Sequence, residues 1–231
     1  MNHRYSERIC STQKSFIREI LKVTADPEII SFAGGLPNPN LIDDEGIQKA
    51  AAALLKEDGK TALQYSTTEG HPPPLREWIA ERYRTRYGLS VSADQILITN
   101  GSQQCLDLIG KVYLDTGDSV IVEDPPGYLG AIQSFSMFQP EFLSVPLNEE
   151  GPDLACLTNV LETSSAKFMY GIPNSQNPPP VSPTRRTGDV ISRPSSVKTT
   201  CRLWRTMHMG SFSLTASQEN RSVRIWKAKV F

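Results

Sequence analysis

Three short apolar runs, each followed by a polar loop, constrain the fold of this chain more than any other feature. The runs cover residues 95–99, 119–123 and 167–172, and helical patterns separate them. Strands that alternate with helices are typical of an α/β domain with a mainly parallel sheet. In such sheets a ligand binds beyond the carboxyl ends of the strands, which is where all three loops lie.

Each of the three loops carries a group that could hold a ligand. The first runs through Asn100 and Gly101 to Ser102, the predicted cap of a helix, and a helix N-terminus attracts phosphate. An ordinary capped helix is the alternative. Tyr128 follows the second run. Its ring could stack on a ligand, and an ordinary core or loop tyrosine is the alternative. Asn177 follows the third run. Its side chain could donate to a ligand oxygen, and a turn residue beside proline is the alternative.

Helical spacing of apolar residues predicts four helices. They cover residues 11–25, residues 43–58 closed by Gly59, residues 74–87, and a segment beginning at Ser102. The predicted buried face of the last helix comprises Cys105, Leu106, Ile109, Val112 and Tyr113. Between the first two helices, an extended arm ends at Gly34 and Gly35.

Charge divides the chain unevenly. Residues 187–231 hold eight Lys and Arg against two Asp and Glu, a net charge of +6, whereas residues 1–186 carry −7. The tail also shows no sustained period of two or 3.6, so little regular structure is expected there. A basic tail is compatible with nucleic-acid contact, and equally with a segment foreign to the protein.

Composition narrows the setting of the chain. No apolar run is long enough to cross a membrane, and the polar start is not a secretory signal. The four cysteines lie far apart without the spacing of metal ligands, so no metal site is predicted and reduced, structural thiols are expected. These features together favour the cytoplasm.

Five stretches of the chain occur in the order and spacing of a known family: SFAGGLPNPN, ALQYSTTEG, ILITNGSQQ, VEDPPGYLGA and MYGIPNSQNP. They resemble the aminoadipate/kynurenine branch of the pyridoxal-phosphate-dependent class I aminotransferases. The resemblance covers residues 15–186. It implies a fold type I transferase that forms a homodimer and moves an amino group between an amino acid and a 2-oxo acid. It also implies three segments: an arm with part of the small domain over residues 1–42, an incomplete large cofactor domain over 43–186, and a non-native tail over 187–231.

The resemblance also implies roles for single residues. Ser102 and Gln103 match the backbone cradle of the cofactor phosphate, Tyr128 the ring that stacks on the pyridine, and Asn177 the donor to the pyridine hydroxyl. Tyr65 matches a tyrosine that reaches the phosphate of the neighbouring subunit. In the arm, Arg18 and Gly35 match positions that contact substrate.

The family's catalytic half is not recognisable after residue 186. Transamination needs a Schiff-base lysine, an aspartate against the pyridinium nitrogen and an arginine for the substrate carboxylate. Shifted by one base, the codons of Trp204–Gly210 permit Glu-Asp-Asp-Ala-Tyr-Gly, a segment of the family's kind, which favours a frame change near Arg186. A rival interpretation matches Gly210–Thr215, GSFSLT, to the lysine motif with Leu214 in place of lysine.

Both interpretations predict the same function. The chain is expected to be a fragment of an aminotransferase that is inactive because the Schiff-base lysine region is missing, so no catalytic residue is assigned, and the resemblance implies pyridoxal phosphate as the cofactor. An enzyme of the same class that works by an unrecognised route is one alternative. The other is a non-enzymatic nucleic-acid-binding protein that uses the basic tail, although the tail lacks the interleaved aromatic and basic residues of a strand binder.

Overall fold

The computed structural model describes residues 5–11, 38–67, 73–124, 128–149, 151–174, 202–207, 211–218 and 222–229. The chain divides into two compact units, residues 13–66 on the one hand and residues 1–12 with 67–231 on the other. The division falls near residue 66. It also places residues 187–231 in the same unit as the predicted large domain. The helix predicted over 11–25 lies almost wholly outside the described residues.

The described part of the unit of residues 13–66 contains one long helix. A 3-10 turn, Pro39–Leu41, precedes helix α2, Asp44–Ala62, whose N-cap Asp43 accepts a hydrogen bond from the N–H of Gly46 at 2.9 Å. The predicted start is confirmed, but the helix continues past its predicted end. Its backbone kinks at Asp58, where φ is −141°, and then resumes for one further turn.

The other unit contains five helices among its described residues. These are α1 Glu7–Ser11, α3 Pro73–Tyr87, α4 Gly101–Tyr113, α5 Leu129–Ser136 and α6 Leu154–Thr163, with a 3-10 turn at Ala93–Gln95. Helix α3 buries Ile79 and Tyr83 against Ile96. It ends at Gly88, whose φ of +64° is a left-handed conformation that glycine adopts without strain. None of the described helices is long and apolar enough to span a bilayer.

The sheet of this unit has seven strands in the order β3-β2-β1-β4-β5-β6-β7. The strands are β1 Ser119–Asp124, β2 Glu141–Asn148, β3 Gly151–Pro152, β4 Phe168–Asn174, β5 Arg202–Met207, β6 Ser211–Gln218 and β7 Ser222–Lys229. Strands β2, β1, β4 and β5 are parallel neighbours, and the outer pairs are antiparallel. The predicted α/β class with a parallel core is confirmed.

Helices cover both faces of the parallel core. Helices α4 and α5 pack on one face, where Phe135 is fully buried and meets the rings of Phe168 and Tyr170 edge-on at 5.2 and 5.8 Å. Helix α6 packs on the other face, where Leu157 lies against Ile121. Burial on both faces explains why the central strands are nearly continuous apolar runs.

Two of the three predicted strands are confirmed, and the third is not. The runs at 119–123 and 167–172 form β1 and β4. In the run at 95–99, Gln95 ends the 3-10 turn and residues 96–99 form no strand and lie outside the sheet. A strand needs a neighbour to satisfy its backbone groups. None of the described strands lies beside residues 96–99, so apolar residues alone do not make a strand there.

The expectation of little regular structure in residues 187–231 is wrong over 202–229. Strand β5 pairs in parallel with β4, with Gly171 opposite Arg205, and β6 and β7 extend the sheet beyond it. The frame-change interpretation required a tail outside the sheet, and it loses that support. The missed signal is the alternation of Phe212, Leu214 and Ala216 with small polar residues, a period of two.

The face that α4 turns to the sheet differs slightly from the predicted one. Cys105, Leu106 and Ile109 are buried as predicted, but Val112 is 69% exposed. Gly110 takes its place, because a methyl group there would lie 2.2 Å from the ring of Phe138. The helix thus approaches the end of α5 closely at this glycine.

Burial of the Cys105 thiol predicts a pH effect on stability. Loss of hydration raises the pKa of Cys105 from 9.0 to about 11. The folded state holds this proton more tightly than the unfolded state, so the contribution to stability is present below pH 9.0 and lost as pH rises towards about 11. We expect the unfolding free energy in urea to fall more steeply over that range than in Cys105→Ala, by up to about 2–3 kcal/mol. Equal slopes would contradict this.

Candidate functional site

The candidate site lies at the carboxyl ends of two adjacent parallel strands, β1 and β4. The chain leaves β1 at Asp124 and enters α5 after Tyr128, while it leaves β4 at Asn174. Helix α4, which begins at Gly101, packs beside α5 on the same face of the sheet. This is the edge at which the sequence predicts a ligand.

The N-terminus of α4 has the composition of an anion site. Its N-cap, Asn100, makes no side-chain cap hydrogen bond, and its first turn contains no acidic residue. Gly101 has a φ of +77°, and the space where its Cβ would lie is open. The backbone N–H groups in the first turn of a helix have no acceptor within the helix, and the dipole makes this end positive. Backbone and dipole therefore both favour a negatively charged group here.

Two other helices of this chain have N-termini that are capped by their own acidic side chains. In α2, Asp43 caps the helix and Asp44 and Glu45 follow in the first turn. In α6, the carboxylate of Asp153 accepts from the N–H of Cys156 at 2.7 Å. These helices satisfy their positive ends with their own carboxylates. The start of α4 has no such group.

The structure corrects the predicted position of Ser102. Ser102 does not cap the helix, because α4 begins one residue earlier, at Gly101, and Asn100 is the N-cap. The side chain of Gln104 instead accepts a hydrogen bond from the Asn100 N–H. The backbone of Ser102 and Gln103 consequently lies in the first turn, where a backbone cradle for phosphate would have to be.

Tyr128 lies close to this turn, although 25 residues separate it from Gln103 in sequence. The Gln103 amide donates to the carbonyl of Gly130 at 3.2 Å and to the hydroxyl of Ser134. The Tyr128 ring lies against Gly130, since a methyl group there would be 2.7 Å from the ring. Tyr128 is 40% exposed. The structure thus brings together Ser102, Gln103 and Tyr128.

The structure does not test the other predicted site residues. Tyr65 is 99% exposed and belongs to the other unit, residues 13–66. Arg18, Gly35 and Asn177 lie outside the described residues. Their roles stay predictions.

Glu123 is a polar residue at this edge that the sequence analysis missed. It is 4% exposed, and its carboxylate accepts a hydrogen bond from the N–H of Ile172 at 2.9 Å. Gly171 makes room for it, because a methyl group there would lie 2.6 Å from a carboxylate oxygen. The Glu123 side chain thus joins the ends of β1 and β4. The only signal in the sequence is an acid at the end of an apolar run.

Comparison with known proteins decides the family. Residues 38–183 match the family model for aminotransferase class I and II. The chain belongs to this aminotransferase family. The aminotransferase chain is 52% identical over 166 residues to the 2-aminoadipate transaminase of Thermus thermophilus, a match that covers 72% of this chain and 40% of that relative. It therefore spans about two fifths of this relative's length.

Solved structures confirm the fold. The Pyrococcus horikoshii kynurenine aminotransferase, solved with PMP, matches with a TM-score of 0.73 and 37% identity over 81% of this chain and 47% of that one. The alpha-aminoadipate aminotransferase of Thermus thermophilus, complexed with N-(5'-phosphopyridoxyl)-L-leucine, matches with a TM-score of 0.70 and 45% identity. This match covers 81% of this chain and 45% of that one. The family's cofactor is accordingly pyridoxal phosphate, and the bare positive N-terminus of α4 beside an aromatic ring fits such a group.

Proposed function

We propose that this aminotransferase chain contributes the phosphate-binding part of a pyridoxal phosphate site. The observation that carries the proposal is the start of α4, which lacks a side-chain cap and acidic residues and lies beside the ring of Tyr128. Backbone N–H groups of Ser102 and Gln103 bind the phosphate, and Tyr128 covers one face of the ring. Asn177 donates to the ring hydroxyl, as the family resemblance predicts.

We further propose that the chain by itself does not complete transamination. When bound, pyridoxal phosphate supplies an electron-withdrawing ring, but a lysine must attach it and move the proton. Within GSFSLT, the stretch that resembles the lysine motif, Leu214 offers no amine. The chain therefore binds and orients the cofactor without the covalent step. For the whole protein we propose amino acid and 2-oxo acid substrates, a homodimer to which Tyr65 contributes, substrate contacts by Arg18 and Gly35, and a cytoplasmic location.

The nucleic-acid alternative has less support than before. It used residues 187–231 as a free basic tail, whereas residues 202–229 supply three strands of the sheet. Backbone pairing within the sheet fixes these residues, so they do not form a free basic arm.

A substitution that places a carboxylate in the first turn of α4 tests the proposal. We expect Ser102→Glu to weaken binding of pyridoxamine phosphate by more than tenfold, because two charges about 5 Å apart repel by about 3 kcal/mol at an effective dielectric constant of about 20. The same change should stabilise the folded chain by about 0.3–1 kcal/mol, since it complements the helix dipole. Fluorescence titration and urea unfolding measure the two effects.

Val112→Glu is the matched control, because it adds the same charge to the other end of the same helix. Val112 is exposed, and ten residues of helix place it about 15 Å from Ser102, beyond the Debye length of about 10 Å at 0.1 M salt. It should keep the affinity for pyridoxamine phosphate and lose a little stability. Equal affinity in Ser102→Glu and the wild type, or a wild type that does not bind, would overturn the proposed function.

A further inference from the structure

Two adjacent glutamines at the start of α4 make different contacts. The Gln104 side chain turns back and accepts a hydrogen bond from the N–H of Asn100, the residue before its own helix. The Gln103 side chain leaves the helix and reaches α5, where its amide donates to Gly130 and Ser134. The Gln103 amide therefore does not face the anion-binding end of α4, although its backbone belongs to that end.

The acceptors of Gln103 belong to α5, the helix whose first turn lies against the Tyr128 ring. Tyr128 is the N-cap of α5, and its carbonyl accepts from the N–H of Ala131 at 3.0 Å. Gly130 lies directly under the ring, and Ser134, one turn further, is buried. A single side chain thus connects the phosphate end of the proposed site to the support of its aromatic ring.

We propose that Gln103 is a positioning residue that fixes the distance between the phosphate-binding turn of α4 and the Tyr128 ring. The inference rests on the proposed function and adds a role that the backbone of Gln103 does not explain. A pyridine ring with its phosphate arm is a ligand of nearly fixed length. Binding both ends at once is favourable only if the two parts of the site are already correctly spaced. Inorganic phosphate needs only one of the two parts.

The test compares two probes, pyridoxamine phosphate and inorganic phosphate, on the full chain. We expect Gln103→Ala to weaken the binding of pyridoxamine phosphate about tenfold, which corresponds to about 1.4 kcal/mol. The binding of inorganic phosphate should weaken by less than about threefold. Gln103→Met keeps the length of the side chain without its donors and should behave like Gln103→Ala. The circular dichroism band of bound pyridoxamine phosphate should shrink in both variants, since the ring is held less rigidly.

Ser134→Ala removes one acceptor from the other side of the link. Its effect on pyridoxamine phosphate should not add to that of Gln103→Ala, because residues in one hydrogen-bond network are coupled. Equal losses for both probes would show that Gln103 acts at the phosphate or on folding. No loss for either probe, or additive effects, would also overturn the inference. A wild type that binds inorganic phosphate but not pyridoxamine phosphate overturns the proposed function and the inference with it.

Discussion

Borohydride reduction in the presence of pyridoxal phosphate is expected to label no single lysine of this chain. A reducible link needs an unprotonated amine held beside the cofactor aldehyde, which this family obtains from one lysine in a dedicated motif. The stretch most similar to that motif, GSFSLT, carries Leu214. A solvated lysine has a pKa of about 10.4 and is mostly protonated at neutral pH, so surface lysines should react weakly and at many positions. Peptide mapping by mass spectrometry measures the distribution.

Leu214→Lys is the matched variant for this experiment. Leu214 lies in β6, paired with Trp204 of β5. Labelling of the new lysine would show that GSFSLT takes the place of the lysine motif. Scattered labelling in the variant would show that the resemblance of this stretch is incidental. Stoichiometric labelling of one lysine in the unsubstituted chain would contradict the prediction.

The central strands were predictable because burial on both faces leaves few other interpretations of an apolar run. Val120 and Phe168 are fully buried, and their strands follow from composition and length alone. The run at 95–99 has the same composition but no described neighbour strand. A strand depends on backbone partners from elsewhere in the chain, and no local pattern reports whether they are present. The same limit explains the error over 202–229, where weak alternation sufficed once β4 offered an edge.

In the candidate site, too, some features could be predicted from the sequence and others could not. Ser102 and Tyr128 could be identified because each follows an apolar run. Sheet topology explains only the position of Tyr128 at a strand end, whereas Ser102 is brought there by the packing of α4 beside α5. The use of the Gln103 side chain could not be predicted, because its partners lie 27 and 31 residues away. Glu123 was missed for the same reason: its partner is the backbone of another strand. The type of a residue and its place after an apolar run can be read from the sequence nearby. Its hydrogen-bond partners depend on the finished fold.

The helix that carries the Tyr128 ring is held to the sheet by Phe135. Its side chain is fully buried and meets Phe168 and Tyr170 edge-on, an arrangement that adds about 0.5–1.5 kcal/mol per ring pair to the effect of burial. Ser134, which accepts from Gln103, is the preceding residue. Packing of this ring therefore contributes both to the stability of the core and to holding α5 on the sheet beside α4.

We expect Phe135→Ala to lower the free energy of unfolding by about 3–5 kcal/mol, because it removes a large buried side chain and leaves a cavity. Whole domains have only about 5–15 kcal/mol, so much of the chain should unfold at moderate urea concentrations. Phe135→Leu fills most of the space and should lose only about 1–1.5 kcal/mol. Urea unfolding followed by intrinsic fluorescence measures both. A loss for Phe135→Ala no greater than that for Phe135→Leu would mean that α5 does not depend on this ring, and that the Tyr128 end of the site is held by other contacts.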